Sequence, residues 1–312
     1  MPLLAHSQVV DNVMVEPIPN ERVGFKPSYS LAHLTLLGCP APELVYIAAR
    51  TGYDAVSLRL IPMGVAGECP YPPLNDELIR STRLALEVTG IGVHDIELLT
   101  IREQCDVASY ESAMAVGAEL GAKYLVVSAW TNDADDQPYL VDKFSEICER
   151  AQAYGLFVVL EFPSFSRLKD MHQAAEIIQA ANQPNGGMLI DTLYLHLSRV
   201  ATEDIGQFPG HWFPYIQVSD VLPGIPDTCQ GMVSIARDSR LYPGEGCIDF
   251  PSVIAALPPV NYSIELPNRS RVAELGYEEH ARRCIQMSKQ LFEPVEHTLA
   301  STGLSSNHVV NN

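Results

Sequence analysis

Eight times along this chain, a short apolar run is followed by a longer stretch whose apolar residues recur at helical spacing. That alternation constrains the fold more than any single motif. Strands joined through helices must run parallel, with the helices packed outside the sheet. The first strand is expected at Ser30 to Thr35, followed by a helix near PELVYIAAR. The second, Asp54 to Leu60, precedes DELIRSTRLALEVT, with Asn75 as its cap. Gly92 to Leu99 and Lys123 to Trp130 follow as the third and fourth, each leading into an amphipathic stretch. The fifth runs through Leu156, Phe157, Val158, Val159 and Leu160 and ends on Glu161. The sixth is GMLID, ending at Asp191; the seventh spans Pro214 to Asp220; the eighth, NYSIELP, reaches Glu265. Gly52, Gly90, Gly121 and Gly155 each stand between a helix and a strand, where a left-handed cap residue belongs.

Eight such units close into a (β/α)8 barrel. An open doubly wound sheet competes, but no glycine-rich phosphate loop follows the first strand. The expectation is therefore an α/β chain with a single (β/α)8 TIM barrel over 25–295. Residues 1–24 read as an N-terminal extension, and 296–312, polar and weakly patterned, as a flexible tail.

In such a barrel chemistry sits where the strands end. Here strands five, six and eight end on Glu161, Asp191 and Glu265, and strand seven carries Gln217, with Asp220 three residues later. Singly, each acid suits a rim salt bridge. Converging on one mouth, three carboxylates repel one another, and a divalent cation is the ordinary remedy, with Gln217 adding a neutral oxygen. Four oxygen donors favour a hard ion, so Mn²⁺ ranks first, then Mg²⁺, then Co²⁺.

The segments LEFPSF, LIDTLYLH, YIQVSD, RLYPGEGCIDF and SIELPN resemble, in order and spacing, the sugar phosphate isomerase/epimerase group of xylose isomerase-like barrels. The resemblance runs from about Ser30 to Leu291. It implies a metal held by Glu161, Asp191, Gln217 and Glu265. The chain departs from the group's pattern at Gln217, where a histidine is usual, and at Tyr194, three residues after Asp191, where another is common. Gln at the strand-seven position is similar to 3-dehydroshikimate dehydratases.

The expected activity is isomerisation or epimerisation of a sugar or keto-polyol through a metal-stabilised enediolate. Glu161 and Glu265 take and return the α-proton. The competing reading is a metal-dependent dehydratase, a lyase that expels a β-substituent from a cyclic keto-polyol. Arg237 is the candidate oxyanion clamp, with Arg240 second, weighed against surface salt bridges. Arg59, Tyr194 and His196 are further substrate-binding candidates, though a lone tyrosine or histidine there is more often packing. PGEG at 243–246 lacks the spacing of a phosphate cradle and reads as a shaped turn.

A net charge of −18 argues against nucleic acid and anionic membrane surfaces as partners. Seven scattered cysteines without a CxxC pair suit reduced thiols in a cytoplasmic protein. The expected partner is a small carbohydrate or keto-polyol, and a homo-oligomer is compatible with such a barrel.

Overall fold

The computed structural model describes residues 25–132 and 135–301. The expected extension, 1–24, and residues 302–312 of the expected tail lie outside the described residues. Among the described residues, nine strands form one parallel sheet in the order β6-β5-β4-β3-β2-β1-β9-β8-β7. They are β1 (Tyr29–Leu31), β2 (Ala55–Arg59), β3 (Gly92–Ile101), β4 (Tyr124–Ala129), β5 (Phe157–Leu160), β6 (Gly186–Met188), β7 (Ile190–Asp191), β8 (Tyr215–Val218) and β9 (Asn261–Ile264). β6 and β7 are two pieces of one segment, parted only at Leu189; the first pairs with β5 and the second with β8. The two ends of the sheet thus meet in a continuous stretch of chain. Eight staves make the barrel, with GMLID as the sixth.

Helices α1 (Ala41–Thr51), α2 (Asp76–Thr89), α3 (Glu111–Glu119), α4 (Gln137–Gln152), α5 (Met171–Ala181), α6 (Thr192–Ser198), α7 (Cys229–Asp238), α8 (Phe250–Ala256) and α9 (Arg269–Ser301) alternate with the strands. Asn75 caps α2 by accepting from Glu77 and Leu78 amides at 3.0 and 3.2 Å. Gly52 and Gly90 end α1 and α2 at φ of 90° and 74°, conformations that side chains with a Cβ disfavour. The last helix breaks at Gly276 and then continues through Ser301. No described helix is long and apolar enough to cross a membrane.

The first strand is shorter than its sequence suggests. After Leu31 the chain turns into a 3-10 helix, His33–Leu36. There Thr35 Oγ1 donates to the Ile264 carbonyl and accepts from the Leu266 amide, both at 2.9 Å. A side chain thus does the pairing that a longer strand would have done.

Residues two apart on a strand share a face. Leu58, Val127, Val158, Leu160, Ile216 and Ile264 face outward and join the helices in one apolar core. The opposite phase forms a small separate cluster, Val126, Val159, Leu189 and Tyr215. Beside it, Ser57 Oγ donates to Asp95 Oδ2 at 2.6 Å and lies 3.2 and 3.4 Å from the hydroxyls of Ser30 and Ser263. This layer plugs the barrel, as side-chain layers do in folds of this kind. One step of two further along, the same phase delivers Arg59, Glu97, Glu161, Asp191, Gln217 and Glu265, all buried.

Candidate active site

Five of them, Arg59, Glu97, Glu161, Gln217 and Glu265, form the floor of a small cavity of about 40 Å³, walled by Trp130, Phe165 and Tyr194, while Asp191 lies fully buried against Arg240 and does not line it. Four acids and one amide lie together with the guanidinium of Arg59, which pairs with Glu97 in the buried floor. Arg240 supplies a second guanidinium, fully buried, between two of the expected metal ligands. Its Nη1 donates to Asp191 Oδ2 at 2.7 Å, and its Nη2 lies 2.9 Å from Glu265 Oε2. Its remaining donors go to the carbonyls of Ala236 and Glu265 and to the hydroxyls of Ser219 and Tyr194. Arg240 is thus a counter-charge built into the floor, its hydrogen bonds spent on the protein.

The loop that delivers Arg240 is itself held by a buried carboxylate. Asp220 Oδ2 accepts from the amides of Gly244 and Gly246 at 2.9 and 2.8 Å, and Oδ1 from Val221 and Ile248. A Cβ on Gly246 would come within 2.2 Å of the Val221 carbonyl, so only glycine fits. Leu241 and Asp220 exchange two backbone hydrogen bonds, which fix the residue before Leu241 over the barrel mouth. PGEG is the shaped turn its composition predicts, and Glu245 accepts from the Tyr242 amide inside it.

Burial sets the electrostatics. Desolvation, then repulsion from Glu265, Asp191 and Glu97, pushes the Glu161 carboxyl well above the carboxylate range. Glu265 is pushed up to about 8, with desolvation outweighing the attraction of Arg240. Asp191 also rises through burial, held back by Arg240 and by the Leu193 amide, which its Oδ1 caps at 2.8 Å. Gln217 donates from Nε2 to Glu265 Oε1 at 3.2 Å, and its own Oε1 has no partner among the described residues.

Among the described residues no three His, Cys, Asp or Glu side chains stand together as a ready metal cage. Arg240 instead pairs with Asp191 and Glu265. The donor chemistry nevertheless fits a divalent cation. Gln217 Oε1 is a buried oxygen lacking a donor among the described residues, and the Glu161 carboxyl is repelled by Glu265, Asp191 and Glu97, with Arg59 as the smaller opposing charge.

Arg237, in the last turn of α7, lines the cavity and is half-buried, as does buried Tyr194. His196 does not join them. It lines a separate pocket with Arg199 and Cys247, whose sulfur is 3.9 Å from His196 Nδ1. Helix α6 starts at Thr192, directly after Asp191, so its turns carry Tyr194 over the mouth and His196 away from it. Glu97 is the floor residue that strand-end reasoning passes over, because β3 continues four residues beyond it to Ile101. The signal was available: Asp95 and Glu97 are two apart, in one phase, within GVHDIELL.

A family model described as xylose isomerase-like TIM barrel matches residues 45–289. Inosose isomerase of Bacillus subtilis (strain 168) is 24% identical over 164 residues, 50% of this chain and 57% of that protein. A 3-dehydroshikimate dehydratase of Pseudomonas aeruginosa is 27% identical over 140 residues, 44% of this chain and 22% of the relative. The chain thus spans little more than half the length of the first and about a fifth of the second. Among solved structures, an IOLI protein with a bound zinc atom superposes with a TM-score of 0.71 at 18% identity, covering 86% of this chain and 98% of that one. D-allulose 3-epimerase from Methylomonas sp. gives 0.62 at 16%, covering 85% and 97%.

Proposed function

Because the chain belongs to the xylose isomerase-like TIM barrel family, we propose that its barrel mouth isomerises or epimerises a sugar or cyclic keto-polyol. The observation that carries this is the entry of two buried carboxylates, Glu161 and Glu265, into one cavity from staves three apart. Paired groups of this kind can remove a proton on one side of a carbon and return it on the other. Glu161, Asp191, Gln217 and Glu265 would hold one divalent cation. Bound there, such an ion polarises a carbonyl and acidifies the neighbouring C–H. The zinc named for the structural neighbour supports a divalent ion. The all-oxygen donor set of this chain favours harder ions, Mn²⁺ first, then Mg²⁺ and Co²⁺.

Glu161 and Glu265 move the proton, Arg240 limits the charge that Asp191 and Glu265 accumulate, and Arg237 stands at the rim to meet an oxygen of the substrate. Trp130, Phe165 and Tyr194 exclude water from the reacting carbon. Elimination is the second reading, favoured by Gln217 and by the dehydratase relative. NMR of the Mn²⁺-loaded protein with inososes and ketoses separates the two. A product with its skeleton and all its hydroxyls supports isomerisation; an unsaturated, ultraviolet-absorbing product supports elimination. No conversion of any of these ketones rejects both.

A further inference from the structure

The reaction cavity has room for only a few atoms, about 40 Å³. A whole polyol must therefore extend into neighbouring space. Beside the mouth lies a larger compartment of about 320 Å³, between the β2–α2 connection and the start of α1. Arg59 lines both spaces. The larger one is walled chiefly by Leu37, Leu60, Pro70, Tyr71, Pro72 and Leu78. An apolar cavity of about 150 Å³ already accepts benzene, so this compartment has ample room for an aromatic ring.

The wall is pre-formed. Pro62, Pro70, Pro72 and Pro73 fix four φ angles along it. Glu68 spends its carboxylate on the amides of Met63, Gly64 and Val65 at 2.7, 2.9 and 3.2 Å. His33 is also spent: its Nδ1 accepts from the Arg59 amide at 3.1 Å while Nε2 donates to the Cys39 carbonyl at 2.8 Å. Besides the Cys69 thiol, what remains on the wall is Arg59, 7% exposed, whose Nε and Nη1 have no hydrogen-bond partner among the described residues. Two buried donors without acceptors, at the junction of a polar and an apolar space, call for an oxygen there.

Resting on the isomerase reading above, we infer that the substrate is a polyol carrying an apolar substituent about as large as a phenyl ring. The polyol end reaches the carboxylate floor, the apolar end fills the compartment under the proline-rich connection, and Arg59 donates to the oxygen between them. This makes the connection from 60 to 75 the specificity element of the barrel.

The test uses 3-phenoxypropane-1,2-diol against 3-methoxypropane-1,2-diol, with binding to the full-length, Mn²⁺-loaded protein read by titration calorimetry. Burial of the ring predicts at least a tenfold tighter Kd for the phenoxy compound. Tyr71→Ala removes an exposed wall residue, 60% accessible, and leaves the core alone. Ala41→Leu fills the compartment from α1. Each is expected to reduce the phenoxy advantage at least fivefold while leaving the methoxy Kd unchanged. Equal binding of the two diols, undetectable binding of the phenoxy diol, or an advantage untouched by both variants overturns the inference. No turnover is involved, so a protein that prefers the phenoxy diol yet converts no ketone sinks the reaction and leaves the compartment standing. An active isomerase without that preference sinks the compartment alone.

Discussion

Arg240 and Gln217 decide what the site can hold. Arg240 bridges two buried carboxyl groups with a single positive charge, and breaking such a pair from one side costs more than the pair contributes, about 3–5 kcal/mol. Arg240→Met in metal-free protein is expected to lose stability on that scale in urea denaturation, with added Mn²⁺ recovering part of it. A loss below about 1 kcal/mol, the range of surface pairs, would remove Arg240 from this role. At Gln217 the prediction concerns selectivity. Gln217→His should keep a metal bound but shift preference toward Zn²⁺ and Co²⁺, since imidazole suits softer ions than an amide oxygen does. Unchanged relative affinities across the metal series would take Gln217 away from the ion. The acids were legible in sequence because they end apolar runs at the catalytic face of a barrel. Arg240 was legible only as a rim cation. Its inward turn depends on Asp220 gathering four amides from an aperiodic loop.

Among the elements, β3 carries both a floor residue and a pH-sensitive plug. His94 packs edge-on against Tyr215 at 4.4 Å and beside Tyr124 at 5.0 Å. Burial, with a smaller contribution from Lys123, pushes its imidazole from 6.5 down to about 3. The unfolded chain therefore takes up a proton below about pH 6.5 that the native state refuses until about pH 3. The stability due to neutral His94 is fully present above that window and is lost as pH falls through it. One pKa unit corresponds to about 1.4 kcal/mol, so roughly 2 kcal/mol should go between pH 6.5 and 5. His94→Phe keeps an aromatic ring and is expected to flatten this slope in urea titrations at several pH values. Identical slopes in the two proteins would place the pH dependence elsewhere. Element boundaries were less legible than element order. SLAHLT reads as one strand, yet Thr35 bonds to backbone at Ile264 and Leu266, about 230 positions away in sequence. GMLID reads as one strand and is parted at Leu189, where the two halves serve different neighbours.

At the scale of the whole molecule, closure of the barrel brings together residues from six staves that are up to 206 positions apart, Arg59 and Glu265. Strand–helix alternation made that closure legible, because eight parallel units leave few other ways to cover both sheet faces. Period two then made the floor legible once a phase was chosen. The compartment under residues 60 to 75 had no such signal, since its shape depends on proline-rich chain lying across α1 and α2. Metal occupancy belongs to this scale too. Elemental analysis of the purified protein is expected to find about one divalent ion per chain, as a single oxygen-donor site requires. Its removal by chelation should lower the melting temperature by mass action. A metal-free protein that gains no stability from any divalent ion would exclude the site.

The most direct measurement is deuterium uptake at the carbon next to the carbonyl, followed by NMR in D₂O with the Mn²⁺-loaded protein and an inosose or ketose it accepts. The account predicts deuterium on that carbon with the skeleton retained. It also predicts that Glu161→Gln and Glu265→Gln, saturated with metal, each slow the uptake by about 10² or more, the scale for losing a general base. Uptake at the wild-type rate in both variants would contradict the account, leaving the two glutamates outside the proton transfer.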